Sequence, residues 1–185
     1  MGKPSESSSP FRVIPIHYAR ELIDETIKLI NEEWPRSIGA RMWSLESSND
    51  NLPTCLVLTN PTNWEANDGV TKDTPRVLAH LKLTPIPSNP SACFIESVVV
   101  WKSLRGKGIG RFLMNEAENY CKYKLKLEEI YLSTTDKEDF YLKLGYEPCP
   151  PVSIFGGPCN GSFRPVTKKK YMKKVLTEPS DDEQC

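Results

Sequence analysis

The sequence has no excess of charge of either sign and no long apolar run. Lys and Arg together number 24, and so do Asp and Glu, so the formal net charge is zero. This balance argues against a general binder of nucleic acids or charged membranes. No apolar run approaches the roughly 20 residues of a membrane-spanning helix. Residues 1–11 (MGKPSESSSPF) contain neither an apolar signal segment nor the Ser or Thr that N-myristoylation needs at position 6. We therefore expect a cytoplasmic protein with no membrane and no nucleic-acid partner.

Six cysteines are present, but none belongs to a C-x-x-C pair. Scattered cysteines in a cytosolic chain are typically reduced thiols, several of them packed in the core, and this spacing does not indicate a zinc site. We expect no metal. The length of 185 residues favours one domain with a sizeable core. We expect that domain at residues 11–176, with a disordered tail at residues 1–10 and an acidic tail at residues 177–185.

Two common nucleotide-binding loops are also missing. No G-x-x-x-x-G-K-[ST] string is present, and the G-x-G-x-x-G register from Gly106 has Arg111 where the third glycine belongs. A basic glycine-rich loop (RGKGIG, residues 105–110) does lie between an apolar β-branched run and a helical pattern. Strand, loop and helix in this order predict a phosphate site, because glycines let backbone N–H groups approach an anion at an electropositive helix N-terminus. An ordinary strand-to-helix turn is the alternative.

The other apolar patterns and chain breakers predict a mixed α/β sheet. Strands are predicted at residues 11–16, 54–59, 76–84, 92–101, 129–133, 145–148 and 169–176. Helices are predicted at residues 17–33, from the glycine loop to about residue 124, and at residues 136–143. A Ser- and Asn-rich loop is expected to run up to Asn51. The lysines at 168–170 and 173–174 are expected to be solvated residues of an edge strand.

Two motifs resemble the GNAT acetyltransferases. Arg105, Gly108 and Gly110 form an R-x-x-G-x-G loop similar to the Q/R-x-x-G-x-G/A loop of that family. Residues 140–146 (FYLKLGY) resemble its F/Y-Y-x-x-x-G-F/Y segment after the fifth strand. The resemblance covers roughly residues 11–176. It implies a single-domain GNAT fold with a mixed seven-stranded sheet, about four helices and a splayed central strand pair. It also implies acetyl-CoA as co-substrate, with its pyrophosphate on the loop amides.

Residues 31–37 (NEEWPRS) and 96–100 (ESVVV) further resemble the N-terminal acetyltransferases of this family. That likeness implies transfer of acetyl from acetyl-CoA to the free α-amine of acidic (Asp/Glu) protein N-termini. The expected substrate is processed actin, alone or in a complex, and the enzyme is expected to be a monomer. Two alternatives stay open, because fold does not determine function. One is a GNAT enzyme for internal lysine or a small amine, and the other is a non-catalytic acyl-CoA-binding module or actin-binding adaptor.

Acetyl transfer needs a base for the amine, a donor to the developing oxyanion and an acid for the departing thiolate. Glu96 is the only charged residue in an apolar strand, where period 2 predicts that it shares a face with Val98 and Val100. It is therefore the candidate base, with a buried salt bridge or an exposed position at the strand end as the alternatives. The resemblance implies the Val98 amide as oxyanion donor and Tyr141 as the acid. A purely packing role for Tyr141 is the alternative.

The resemblance also implies the residues on the cofactor and peptide sides. The expected cofactor contacts are Val98, Val99, Val100, Arg105, Gly106, Lys107, Gly108, Ile109, Gly110 and Arg111. The expected substrate contacts are Trp34, Arg36, Ser37, Arg41, His80 and Lys82. Arginine suits carboxylates, and His80 and Lys82 point to one face of their strand. His80 is also a candidate base. The alternatives are solvated surface charge for the cations and a structural role for the histidine.

Overall fold

The chain folds around one mixed sheet, seen in a computed structural model that describes residues 11–60, 75–155 and 168–176. The strands are β1 Arg12–Pro15, β2 Thr54–Thr59, β3 Val77–Pro85, β4 Ala92–Val100, β5 Glu129–Thr134, β6 Glu147–Pro148 and β7 Lys170–Val175. Their order in the sheet is β1-β2-β3-β4-β5-β7-β6. Only β4 and β5 run parallel; the other described neighbours are antiparallel. This architecture confirms the predicted single-domain α/β fold. The predicted tails at residues 1–10 and 177–185 lie outside the described residues.

Four α-helices accompany the sheet within the described ranges, as expected. They are α1 Ile23–Glu33, α2 Ile38–Glu46, α3 Ile109–Asn119 and α4 Glu138–Leu142. A π-helical turn at Tyr120–Lys124 continues α3. Helix α2 occupies part of the stretch in which the sequence predicted no helix. Ser37 is its N-cap, with a side-chain oxygen that accepts the Ala40 N–H at 3.3 Å. Such a cap stabilises a helix by about 1 kcal/mol.

Helices cover both faces of the sheet around β2, β3 and β4. The apolar side of α3, with Leu113 and Met114, packs with Leu81 of β3 in one core. Helices α1 and α2 pack on the opposite face, where Leu29 and Val57 are fully buried. Each fully buried side chain of this size contributes about 1.5–3 kcal/mol. This two-sided burial explains why β2 (TCLVLT) has four consecutive apolar residues and no alternation of apolar and polar ones.

The described cysteines are free thiols. Cys55, Cys93 and Cys121 are buried, Cys149 is half-buried, and the sulfurs of Cys93 and Cys121 are 3.6 Å apart. The predicted packing role of several cysteines is thus confirmed. Across the described ranges, no three His, Cys, Asp or Glu side chains cluster as metal ligands would. The same ranges contain no helix that is both long and apolar enough to cross a membrane.

Lys174 is not the solvated edge-strand lysine that the sequence predicted. Strand β7 lies between β5 and β6, so it is not an edge, and Lys174 faces α3. Its ammonium donates to Glu118 Oε2 at 2.6 Å and to the carbonyl oxygen of Leu144 at 2.7 Å. The Glu118 side chain is only 12% exposed and that of Lys174 25%. This cation therefore ties α3, β7 and the end of α4 together.

Replacing Lys174 with methionine is expected to lower the free energy of unfolding by about 2 kcal/mol, because Glu118 then keeps a buried charge without its partner. Urea denaturation measures the change. The double variant Lys174→Met/Glu118→Leu should regain much of the loss. Lys173→Met is the control, since Lys173 is more exposed and its oxygen partner on Glu129 is 3.8 Å away. Equal stabilities of the two lysine variants would contradict a structural ion pair.

Candidate active site

The basic loop between β4 and α3 has an anion-binding geometry. Gly106 and Gly108 have φ of 76° and 81°, in the left-handed region that favours glycine, and Gly108 is the N-cap of α3. A Cβ at either glycine would meet no atom within 4 Å, so the space beside the loop is open. The first N–H groups of a helix have no intrahelical partner and attract anions. Lys107 and Arg111 add exposed cations beside them. These residues fit a diphosphate such as that of CoA.

Arg105 connects this loop to two neighbouring elements of the fold. Its Nε donates to the Val100 carbonyl oxygen at 3.0 Å, and a terminal nitrogen lies 2.7 Å from Glu33 Oε2. This hydrogen bond holds the pKa of Glu33 below its usual value. Arg105 therefore fastens the loop to β4 and to α1. Its predicted contact with the cofactor stays a prediction.

Strand β4 parts from β5 immediately beside this loop. The ladder between them runs from Ala92 opposite Glu129 to Ile95 opposite Leu132, whereas β4 continues to Val100. This confirms the predicted splayed pair of central strands. On the β5 side, the backbone of Glu96 to Val100 therefore faces a gap, while its other side pairs with β3. Backbone amides on such a free edge can donate to a ligand that enters the gap.

A β-bulge in β4 changes the predicted face of Glu96. Lys82 lies opposite Glu96 and His80 opposite Val99, so two residues of β4 oppose one residue of β3. The bulge reverses the alternation of side chains after Ser97. Glu96 consequently shares its face with Val99, which packs in the core on the α1 side, and not with Val98 and Val100. The prediction that Glu96 faces the same side as these two valines was wrong.

Polar side chains gather around Glu96 on the α1–α2 side of the sheet. Glu96 Oε2 accepts the hydroxyl of Thr84 at 2.5 Å, and Lys82 lies across the ladder from it. Lys82 reaches α2, where its ammonium donates to Ser44 Oγ at 3.2 Å. The pairing registers confirm that His80 and Lys82 share a face. Sequence reasoning missed Thr84 as a partner of Glu96, although its period-2 spacing from Lys82 was a signal for the same face.

Tyr141 lies in α4 beside the start of α3. The residue is only 7% exposed, and its ring centroid lies 5.1 Å from that of Phe140 and 5.8 Å from that of Tyr146. Burial, with a smaller effect from Asp136, raises the pKa of Tyr141 to about 12. Its hydroxyl is therefore protonated at neutral pH, as a general acid requires.

The start of α3, the end of β4 and the start of α4 meet at Gly110. A Cβ on Gly110 would lie 3.5 Å from Phe140 and 3.8 Å from Val100, which is ordinary contact distance. The fold thus brings the glycine loop, the free edge of β4 and the helix of Tyr141 to one place. Ile109 and Val99 are buried, so their side chains are not exposed for the predicted cofactor contacts.

Arg36 and Arg41, two of the predicted peptide-binding cations, lie in the connection between α1 and α2 and in the first turns of α2. Asn31 and Arg41 organise this connection: Arg41 Nε donates to Asn31 Oδ1 at 2.9 Å, and its guanidinium also donates to the Trp34 carbonyl oxygen. Arg41 belongs to α2, not to a loop, and only 9% of it is exposed. Burial, then Arg36, lowers its pKa. The guanidinium of Arg36 is exposed, and no ion pair between described residues includes it.

Comparisons with known proteins agree with this geometry. Residues 23–146 match the model of the acetyltransferase (GNAT) family. Over 132 residues the chain is 36% identical to mouse N-alpha-acetyltransferase 80. The aligned region covers 71% of this chain and 40% of the relative. The chain thus spans about two fifths of that relative's length.

Solved structures share the fold at low sequence identity. Spermidine N-acetyltransferase from Vibrio cholerae, in complex with CoA and spermine, has a TM-score of 0.64 at 16% identity, over 91% of this chain and 97% of that one. A GNAT-family acetyltransferase from Staphylococcus aureus Mu50 has a TM-score of 0.62 at 18% identity, over 90% and 99% of the two chains. Fold, glycine loop and family match together confirm the predicted superfamily. The chain belongs to the acetyltransferase (GNAT) family.

Proposed function

We propose that this chain transfers the acetyl group of acetyl-CoA to the free α-amine of acidic protein N-termini, with processed actin as the expected substrate. The observation that carries the choice of an N-terminal amine is the 36% identity to an N-alpha-acetyltransferase over 71% of the chain. The loop, the free edge of β4 and the protonated Tyr141 support the acetyl-transfer chemistry.

Each candidate residue has a separate role in this proposal. Acetyl-CoA supplies the acetyl group as an activated thioester. The amides of Gly108 to Gly110 bind its diphosphate, and the Val98 amide stabilises negative charge on the reacting carbonyl oxygen. Glu96 takes a proton from the substrate ammonium, directly or through a water. Tyr141 gives a proton to the departing sulfur.

The preference for acidic N-termini rests on the cations around the same face. Arg36 is exposed, Arg41 lies in α2 near enough to be affected by the charge of Arg36, and Lys82 reaches towards α2 from the sheet. In our proposal they attract the carboxylates of the first substrate residues. The predicted substrate contacts of Trp34 and Ser37 flank Arg36 in sequence and stay predictions.

Reversal of the charge at Arg36, in Arg36→Glu, is expected to raise KM for a peptide that begins with Asp-Asp-Asp by roughly 10-fold. This corresponds to about 1.4 kcal/mol of lost attraction. The kcat should change little, because Arg36 binds the ground state and the transition state alike. Steady-state kinetics at low and high salt provide the measurement, and the salt dependence of KM should weaken. Arg12→Glu is the control, since Arg12 is exposed on the outer strand β1. Equal changes in KM in both variants would contradict a specific role for Arg36 in peptide binding.

The proposed function is tested by acetyl transfer to a panel of acceptors. The panel contains Asp-Asp-Asp and Glu-Glu-Glu N-termini, Met- and Ser-initiated N-termini, a blocked peptide with an internal lysine, and spermidine. Acetyl-CoA binding is measured in parallel by calorimetry. A strong preference for the acidic N-termini is the expected result.

The other outcomes point to the alternatives. Turnover of the blocked lysine peptide or of spermidine, without the acidic N-termini, would assign the chain to another branch of the family. Acetyl-CoA binding without turnover of any small acceptor leads to a second assay with intact, unacetylated actin. Failure there would favour a non-catalytic acyl-CoA-binding module.

A further inference from the structure

The bulge in β4 contains a backbone conformation that needs support. Leu81 of β3 lies opposite both Ser97 and Val98, and Ser97 has a φ of 54°. A residue with a Cβ is sterically disfavoured in this left-handed region. The next residue is Val98, whose amide is the candidate oxyanion donor. The conformation of the bulge therefore affects the direction of that amide. A contact that holds Ser97 in place therefore influences that donor.

His80 makes such a contact across the ladder. Its Nδ1 lies 3.1 Å from the carbonyl oxygen of Ser97. A carbonyl oxygen only accepts, so Nδ1 carries the proton and donates it, and Nε2 is left without hydrogen. His80 is 2% exposed, and its Nε2 has no partner among the described residues. The ring thus makes one side-chain hydrogen bond, and it goes to the backbone of the bulge.

The environment of His80 favours this donor role over proton transfer. The pKa of His80 is lowered to about 4, mainly by burial; the Ser97 bond opposes this shift, and the nearby cations Arg41 of α2 and Lys82 of β3 contribute to it. The imidazole is therefore neutral at pH 7. A group with such a low pKa is a weak base for an ammonium.

We propose that His80 is a positioning residue whose Nδ1–H bond to the Ser97 carbonyl holds the bulge and so aims the Val98 amide into the gap between β4 and β5. This inference rests on the proposed acetyl transfer. It gives His80 a role through the backbone, in place of the substrate contact or base that the sequence suggested. Loss of one oxyanion donor typically lowers kcat by 10²–10³-fold, and misaiming it costs part of that.

Three substitutions separate the two ring nitrogens. In His80→Asn the side-chain amide nitrogen falls near the position of Nδ1, in His80→Gln near that of Nε2, and His80→Leu provides neither. We expect the Leu and Gln variants to lower kcat about 10- to 100-fold with KM nearly unchanged, since the lost interaction belongs to the transition state. His80→Asn should recover most of the wild-type kcat, with the pH profile unaltered.

Two readouts do not depend on turnover. The nitrogen chemical shifts of His80 in the wild-type protein report its tautomer, and the chain has only one other histidine, His17, which is assigned with His17→Gln. Hydrogen exchange of the Val98 and Val99 amides, with and without acetyl-CoA, should be faster in the Leu and Gln variants than in the Asn variant.

Distinct results would overturn the proposal. An Nε2–H tautomer in the wild-type protein, or wild-type kcat in the Leu variant, would show that the bond is not needed. Failure of Asn to recover kcat, together with loss of the acidic limb of the pH profile, would make His80 a base. If no acidic peptide is turned over, the proposed function fails, while the tautomer and exchange results still decide whether His80 supports the bulge.

Discussion

Replacing Glu96 with glutamine is expected to lower kcat for acetylation of an Asp-Asp-Asp peptide by about 10²- to 10⁴-fold, the usual contribution of a general base. Glutamine keeps the size of the side chain and can still accept the Thr84 hydroxyl, now 2.5 Å from Glu96 Oε2. It cannot take a proton from an ammonium. The KM for acetyl-CoA should stay near that of the wild type. Steady-state kinetics over a range of pH provide the measurement.

Two further variants test this assignment. Glu147→Gln makes the same chemical change at an exposed position of β6 and should leave kcat within about threefold of the wild type, as expected of a surface substitution. Thr84→Val removes the hydroxyl that orients Glu96 and should have an intermediate effect. If Glu96→Gln keeps wild-type kcat at all pH values, another group or a water deprotonates the amine.

Much of the fold followed from local pattern. The bounds of β2 were predicted to the residue, and those of β3, β4, β5 and β7 within two residues. Strands β2 to β5 are rich in β-branched or apolar residues and are bounded by turn residues, a pattern that is readily recognised in a single sequence. The loop of residues 105–110 could also be predicted from local sequence. Left-handed backbone at Gly106 and Gly108 favours glycine, so the conformation leaves a mark in the sequence.

Features that depend on tertiary contacts were not predicted. Serine has no preference for the left-handed region, so the local sequence does not predict the bulge at Ser97 or the side of the sheet on which Glu96 lies. Helix α2 is a second example. Its Arg41 is buried and held by Asn31, ten residues earlier, whereas its apolar Ile38 and Trp43 are exposed, so its apolar pattern does not mark the buried face. The ion pair of Glu118 with Lys174 spans 56 residues. The candidate site therefore combines predictable backbone with polar partners that only the folded chain brings together.

Tyr141→Phe is the second substitution for which a large effect is expected, with a loss of about 10²- to 10³-fold in kcat. Burial raises the pKa of Tyr141 to about 12, so the hydroxyl stays protonated through pH 10 and can give its proton to the thiolate. Ionisation of Tyr141 should therefore not produce an alkaline limb in the pH profile below pH 10. Phenylalanine keeps the ring contacts with Phe140 and Tyr146, so stability should change little.

A change of acyl donor tests protonation of the departing sulfur separately from deprotonation of the amine. An acetyl thioester whose thiol has a lower pKa than CoA needs less protonation as it leaves, so it should partly restore the kcat of Tyr141→Phe. It should not restore Glu96→Gln, which is impaired at the amine. Tyr146→Phe is the matched control, because it removes the same hydroxyl from a ring whose centroid is 5.8 Å away. Equal losses in the two tyrosine variants, or no recovery with the better leaving group, would reduce Tyr141 to a packing residue and leave thiolate protonation to solvent.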